Sequence, residues 1–149
     1  ALSLGVFQNF VASLVAAMVW VDNCWNIRGG GPARMAGSIS RLSEELFAWY
    51  TAEARLGHNH TRVQTLTAKM FGKESRPKAK LHGAETNAVL EFSGSVIGRH
   101  AGRLTNHEMW RTAAVDLVRL KNLLKQHTGR WPAAAIQDHR GGGLRVVFP

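Results

Sequence analysis

The sequence predicts an all-α fold, a bundle of four main helices, on three observations. Apolar residues recur every three or four positions through four separate stretches. Breaks rich in Gly and Pro fall between them. The connections are also short enough to bring successive helices back against one another. The 149 residues fit one domain, residues 1–149, and 45% hydrophobic content excludes wholesale disorder.

The first helix is expected over residues 4–25, where Phe7, Phe10, Val11, Leu14 and Met18 share a face. Residues 1–21 carry no charge and are long enough to cross a bilayer. Ser3, Gln8, Asn9 and Ser13 interrupt that run, and no basic cluster precedes it as in a signal peptide, so a buried helix is the better reading. Arg28-Gly29-Gly30-Gly31-Pro32 breaks the pattern. A second helix starts near Pro32 or Ala33 and continues to about Leu56 through Ile39, Leu42, Leu46, Phe47 and Tyr50. Gly57 stands where a C-terminal cap glycine belongs. Over residues 61–71, Val63, Leu66 and Met70 have helical spacing, yet β-branched neighbours suit an extended chain equally.

Residues 72–83, GKESRPKAKLHG, read as a basic loop in which Pro77 opposes regular structure. The third helix, residues 84–100, is weak by propensity because of Ser93, Gly94, Ser95 and Gly98. Those small residues permit another backbone to approach closely. The fourth helix is the clearest: Asn106 offers a cap, and Trp110, Ala113, Leu117, Leu120 and Leu124 repeat along one side. Thr128-Gly129 ends it and Pro132 follows. After Gly141-Gly142-Gly143, the apolar ending Leu144-Arg145-Val146-Val147-Phe148 suits a strand or a contact with a neighbour.

Nineteen Lys+Arg against ten Asp+Glu give a net charge of +9. Arginine dominates, and its planar fork matches phosphate oxygens, so the balance favours a polyanionic partner. Arg99 and Arg103 close the third helix, while Arg111 and Arg119 lie on the fourth. Residues eight apart on a helix are about 12 Å and about 80° apart, close enough for both to follow one strand. As a group around one junction these arginines are an RNA-contact candidate; singly, each reads as a solvated residue, Arg119 paired with Asp116.

Catalytic signals are poor, and the reading is of a protein that is not an enzyme, with no cofactor and no metal. The Gly triplets at 29–31 and 141–143 lack the Lys-Ser/Thr of a phosphate loop. His58 and His60 have no third ligand at recognisable spacing and read as surface histidines near a helix end. His100 and His107 flank the junction before the last helix, where protonated imidazoles could meet phosphate. Cys24, the single cysteine, excludes an internal disulfide and a cysteine zinc site, and suits a reducing compartment or simply a small apolar core position.

Three segments, in order, resemble the coat proteins of rod-shaped plant RNA viruses of the tobamovirus type. The first is Val21-Asp22-Asn23-Cys24-Trp25-Asn26, then Pro32-Ala33-Arg34 and Arg41-Leu42-Ser43-Glu44. The second is Thr86-Asn87-Ala88-Val89-Leu90-Glu91, leading through small residues to Arg103. The third is His127-Thr128-Gly129-Arg130-Trp131, Ile136, and Gly143-Leu144 through Phe148. Three features depart from that family, the first a net charge of +9 that is higher than the resemblance leads one to expect. Gly102 to Asn106 leaves almost no room for its long loop between the third and fourth helices, and His107-Glu108 stands at its paired aspartates.

The resemblance implies an antiparallel four-helix bundle with short extended terminal segments, both termini toward the outside of a rod. It implies a structural capsid protein, in the virion and the host cytoplasm, whose partners are single-stranded RNA and many copies of itself. No stable membrane association is expected. Arg34 matches the family's RNA-contacting arginine at the start of the second helix, and Arg103 lies closest to those after the third. Arg111 and Arg119 fall on the part of the last helix that faces RNA. Glu44 and Glu91 match carboxylates that meet between subunits, where mutual repulsion makes a disassembly switch. The alternative is a basic helical accessory subunit of a ribonucleoprotein or organellar complex. A membrane-associated subunit using residues 1–21 stands third.

Overall fold

The computed structural model describes residues 2–126, which are mainly helical, with one two-stranded hairpin of two residues per strand. The expectations for the tail, including the Thr128-Gly129 stop and the apolar Leu144-to-Phe148 ending, lie outside the described residues. Helix α1 (Leu2–Ala16) is already under way at Leu2, so no extended N-terminal segment stands among the described residues.

The apolar face of α1 folds inward as the spacing requires: Phe7, Phe10, Val11, Leu14 and Val15 are all buried. A π-helical turn (Ala17–Val21) continues it, and its wider winding turns both Met18 and Val19 into the core. The helix stops at Val21 and not at Trp25. Asn23 takes a left-handed φ of 45°, and its side-chain amide brackets Ile27, accepting from Ile27 N–H and donating to Ile27 O, each at 3.0 Å.

Helix α2 (Gly31–Arg55) carries Pro32 in its first turn, where the missing N–H costs nothing. It buries Met35, Ser38, Ile39, Leu42, Leu46 and Tyr50. Gly57, at φ 84°, closes it in a Schellman motif, with His58 N–H on Glu53 O at 2.9 Å and Gly57 N–H on Ala54 O at 3.0 Å. Of residues 61–71 only Ala68–Phe71 winds, as a 3-10 turn. Val63 is buried, its N–H donating to the Tyr50 hydroxyl at 3.1 Å. Residues 72–83 are more ordered than expected, since β1 (Gly72–Lys73) pairs with β2 (Arg76–Pro77). Pro77 is tolerated at the strand end, and a side chain at Gly72 would meet the Arg76 carbonyl at 2.4 Å.

Helix α3 (Gly83–Arg99) opens with Glu85 accepting from the His82 N–H at 2.9 Å. It packs against α1, α2 and α4 (His107–Gln126). Leu90 and Ile97 are completely buried there, so tertiary packing overrides weak propensity. Close approach does not use the glycines: Gly94 and Gly98 are exposed, and Ala88 and Ser93 face the core instead. Gln8 Nε2 donates to Leu81 O at 2.7 Å, fixing α1 to the start of α3. Phe10 meets Trp110 edge to face at 5.7 Å, joining α1 to α4, and Trp49 meets Phe92 at 5.7 Å, joining α2 to α3. The buried apolar side chains form one cluster. Among the described residues no helix is long and apolar enough to cross a membrane.

Candidate nucleic-acid interface

The segment after α1 and the turn after α3 meet at one corner. Thr105 donates its backbone N–H to Asp22 at 3.0 Å and its hydroxyl at 2.7 Å. Arg34 reaches this corner from α2, its guanidinium lying 3.4 Å from Trp20 O. Its Nε is buried without a hydrogen-bond partner, leaving the fork under-satisfied. Arg103 arrives from the α3–α4 turn, close enough for its charge to act on Cys24. Arg28 is exposed on the connection between α1 and α2. Among the described residues no ion pair engages Arg28, Arg34 or Arg103. Helices α2 and α4 both begin here, and α2 has neither a side-chain cap nor an acidic residue in its first turn. Its free N–H groups and dipole therefore add to a positive edge.

Glu45 supports the corner from below. Trp25 donates its indole N–H to this carboxylate, and His100 Nε2 lies 3.0 and 3.1 Å from its two oxygens. Arg99 stands 3.7 Å away, and the Trp25 and His100 rings pack edge to face at 4.9 Å. Burial pushes Glu45 up, but hydrogen bonds from His100 and Trp25 and the charges of His100 and Arg99 outweigh it. Its pKa ends below the usual carboxylate value. Arg99 and His100, both grouped with the phosphate candidates by sequence, are thus engaged by Glu45. Cys24 is buried beside them. Desolvation first, then the charges of Asp22 and Glu45, push its thiol up to about 11, against the pull of Arg103. It is a core position.

The α4 arginines are not tied to the corner by any described contact. Arg111 and Arg119 are exposed, but no contact brings Arg119 to the corner, and among the described residues Asp116 and Arg119 make no ion pair. The two carboxylates also part company. Glu44 is exposed on α2. Glu91, by contrast, sits 3.0 Å from Lys121 Nζ and 3.5 Å from His60 Nδ1.

His60 is no surface residue: its side chain is 13% exposed and stacks on Trp49 at 4.7 Å, with Nε2 2.9 Å from Glu53. His58 is also on Glu53, at 3.3 Å. The His60 bond, with help from His58, holds Glu53 below the usual carboxylate value against slight burial. Among the described residues no group of three His, Cys, Asp or Glu is placed to hold a metal ion.

No protein-family model, curated protein or solved structure matches this chain. The residues that sequence reasoning missed are Glu45, Glu53 and Lys121, three charged groups tied between elements. Glu45 had a signal: it adjoins Leu42 and Leu46 on the buried stripe of α2. Lys121 had a similar one, lying four residues past Leu117 on the apolar side of α4.

Proposed function

We propose that this chain is a structural capsid protein that coats single-stranded RNA, with the arginine corner against the phosphates. In this reading the four helices form an antiparallel bundle. Many copies assemble into a helical rod, within the virion and the host cytoplasm, without a cofactor or a stable membrane association. The observation that carries the reading is that Arg34 and Arg103, distant in sequence, both come to the segment after α1, Arg34 at Trp20 O and Arg103 near Cys24, where Asp22 clasps Thr105, and that the exposed Arg28 lies further along the same segment. Guanidinium groups aimed at phosphate hold any sequence, as a coat over a whole genome requires. Arg111, one turn into α4, extends the edge. Arg119 lies about 12 Å further and about 80° round the helix. The bundle reading is supported by α4 packing mainly against α3, where Lys121 reaches Glu91, and touching α1 where Trp110 meets Phe10.

RNA binding at several salt concentrations tests the interface. Each phosphate contact to a single strand contributes about −0.7 to the slope of log K against log salt, so Arg28, Arg34 and Arg103 together give about −2. Arg34→Ala with Arg103→Ala flattens the slope by about 1.4, equally for unrelated sequences. An unchanged slope removes the corner from the interface.

A further inference from the structure

Helix α4 has a second face that the fold leaves uncovered by any described residue. Its inner side buries Ala113, Ala114, Leu117 and Lys121. On the opposite side Met109, Thr112, Asp116, Arg119, Leu123 and Gln126 are all exposed. Their spacing is three, four, three, four, three, the pattern of a helix-pairing seam, and all six fall within about 100° of arc. Three large apolar side chains stand on or beside this seam, Met109 at 43% exposure, Val115 at 45% and Leu123 at 51%. Lone exposed apolar residues are ordinary; three of them within about 120° of one helix's circumference make this face partly apolar, with Thr112, Asp116, Arg119 and Gln126 between them.

The charges on the seam indicate what covers it. Asp116 and Arg119 sit at its centre and make no ion pair with each other. A two-fold axis midway between them, perpendicular to the helix, sets Asp116 of each copy against Arg119 of the other. The same axis brings Thr112 to Leu123, Met109 to Gln126 and Val115 to the half-buried Leu120. The central charges are then matched across the axis and Val115 meets Leu120, while Thr112–Leu123 and Met109–Gln126 set a polar side chain beside an apolar one toward the ends of an isologous contact. A parallel pairing in register would set Asp116 on Asp116 and Arg119 on Arg119, which like charges oppose.

We infer that α4 is a self-association surface, pairing antiparallel with the α4 of a second copy of this chain through reciprocal Asp116–Arg119 ion pairs. The contact closes on two copies, so it supplies a dimeric building unit and does not by itself grow a rod. It also assigns Arg119 to the protein–protein contact and away from the RNA edge. The inference stands on α4 alone and not on RNA binding, so either reading can fail without the other.

Sedimentation of the full chain without RNA, over a range of concentrations, tests it. The parent rises from 16.4 kDa toward twice that mass. Asp116→Arg and Arg119→Asp each place like charges across the axis and weaken dimerisation about tenfold or more. The double exchange, Asp116→Arg with Arg119→Asp, restores it. All these sites are exposed, so the variants fold. A parent that stays monomeric, single variants that dimerise like the parent, or a double exchange that fails to rescue would each overturn the inference. Loss of RNA binding in Arg119→Asp with an unchanged dimer overturns it too, returning Arg119 to the RNA edge.

Discussion

Replacing Glu45 by Ala tests whether the corner is held from within. The carboxylate accepts from Trp25 and from His100 and faces Arg99, and its side chain is 14% exposed. Hydrogen bonds to a charged partner are worth about 1.5–3 kcal/mol each. Arg99 is 53% exposed and adds little. Losing the two hydrogen bonds, offset by no longer burying a carboxylate, costs about 3 kcal/mol. For a chain of this length that lowers Tm by about 6–12 °C.

The pH dependence fixes the sign. Because the folded pKa of Glu45 lies below its ordinary 4.5, its contribution is present above that value and fades as pH falls through the folded pKa. The gap in Tm between parent and Glu45→Ala, followed by circular dichroism from pH 7 to pH 3, should therefore narrow below about pH 4.5. A gap that stays constant across this range, or no gap at pH 7, would refute the electrostatic support assigned to Glu45.

Three further expectations concern Glu44, Glu91 and Cys24. Glu44→Gln leaves urea stability unchanged because Glu44 is exposed, whereas Glu91→Gln strips the buried Lys121 of its carboxylate and costs about 1–2 kcal/mol. If these carboxylates also meet between subunits, either change raises the pH at which assemblies fall apart; equal midpoints end that switch. Cys24, with its thiol near 11 in place of 9.0, reacts about a hundredfold more slowly than a free cysteine with an aromatic disulfide reagent at pH 8, and at the ordinary rate in denaturant. Fast reaction in the native protein contradicts its burial.

What was legible in the sequence was what periodicity encodes. The buried faces of α2 and α4 and the Gly57 cap stand where spacing put them, apart from Phe47, which is exposed beside the buried Leu46, since one apolar stripe and one left-handed glycine are local signals. The early end of α1 was not legible, because it depends on Asn23 folding back on Ile27 and on a π turn. The ordered hairpin at Gly72–Pro77 likewise needs the close approach of Gly72 to Arg76. The candidate site divides the same way. Arg34 and Arg103 were named from sequence, but their approach to one segment, at Trp20 and Cys24, comes with the Asp22–Thr105 clasp, a tertiary contact. His60 read as a surface residue because nothing local announces Trp49 beneath it or Glu53 and Glu91 on either side.

Electron microscopy of the purified protein, with and without single-stranded RNA, tests the central claim most directly. Rods that form with RNA, and that Arg34→Ala with Arg103→Ala abolishes, are the outcome expected of a coat. Particles that never lengthen beyond one or two copies around RNA would contradict it and favour an accessory ribonucleoprotein subunit.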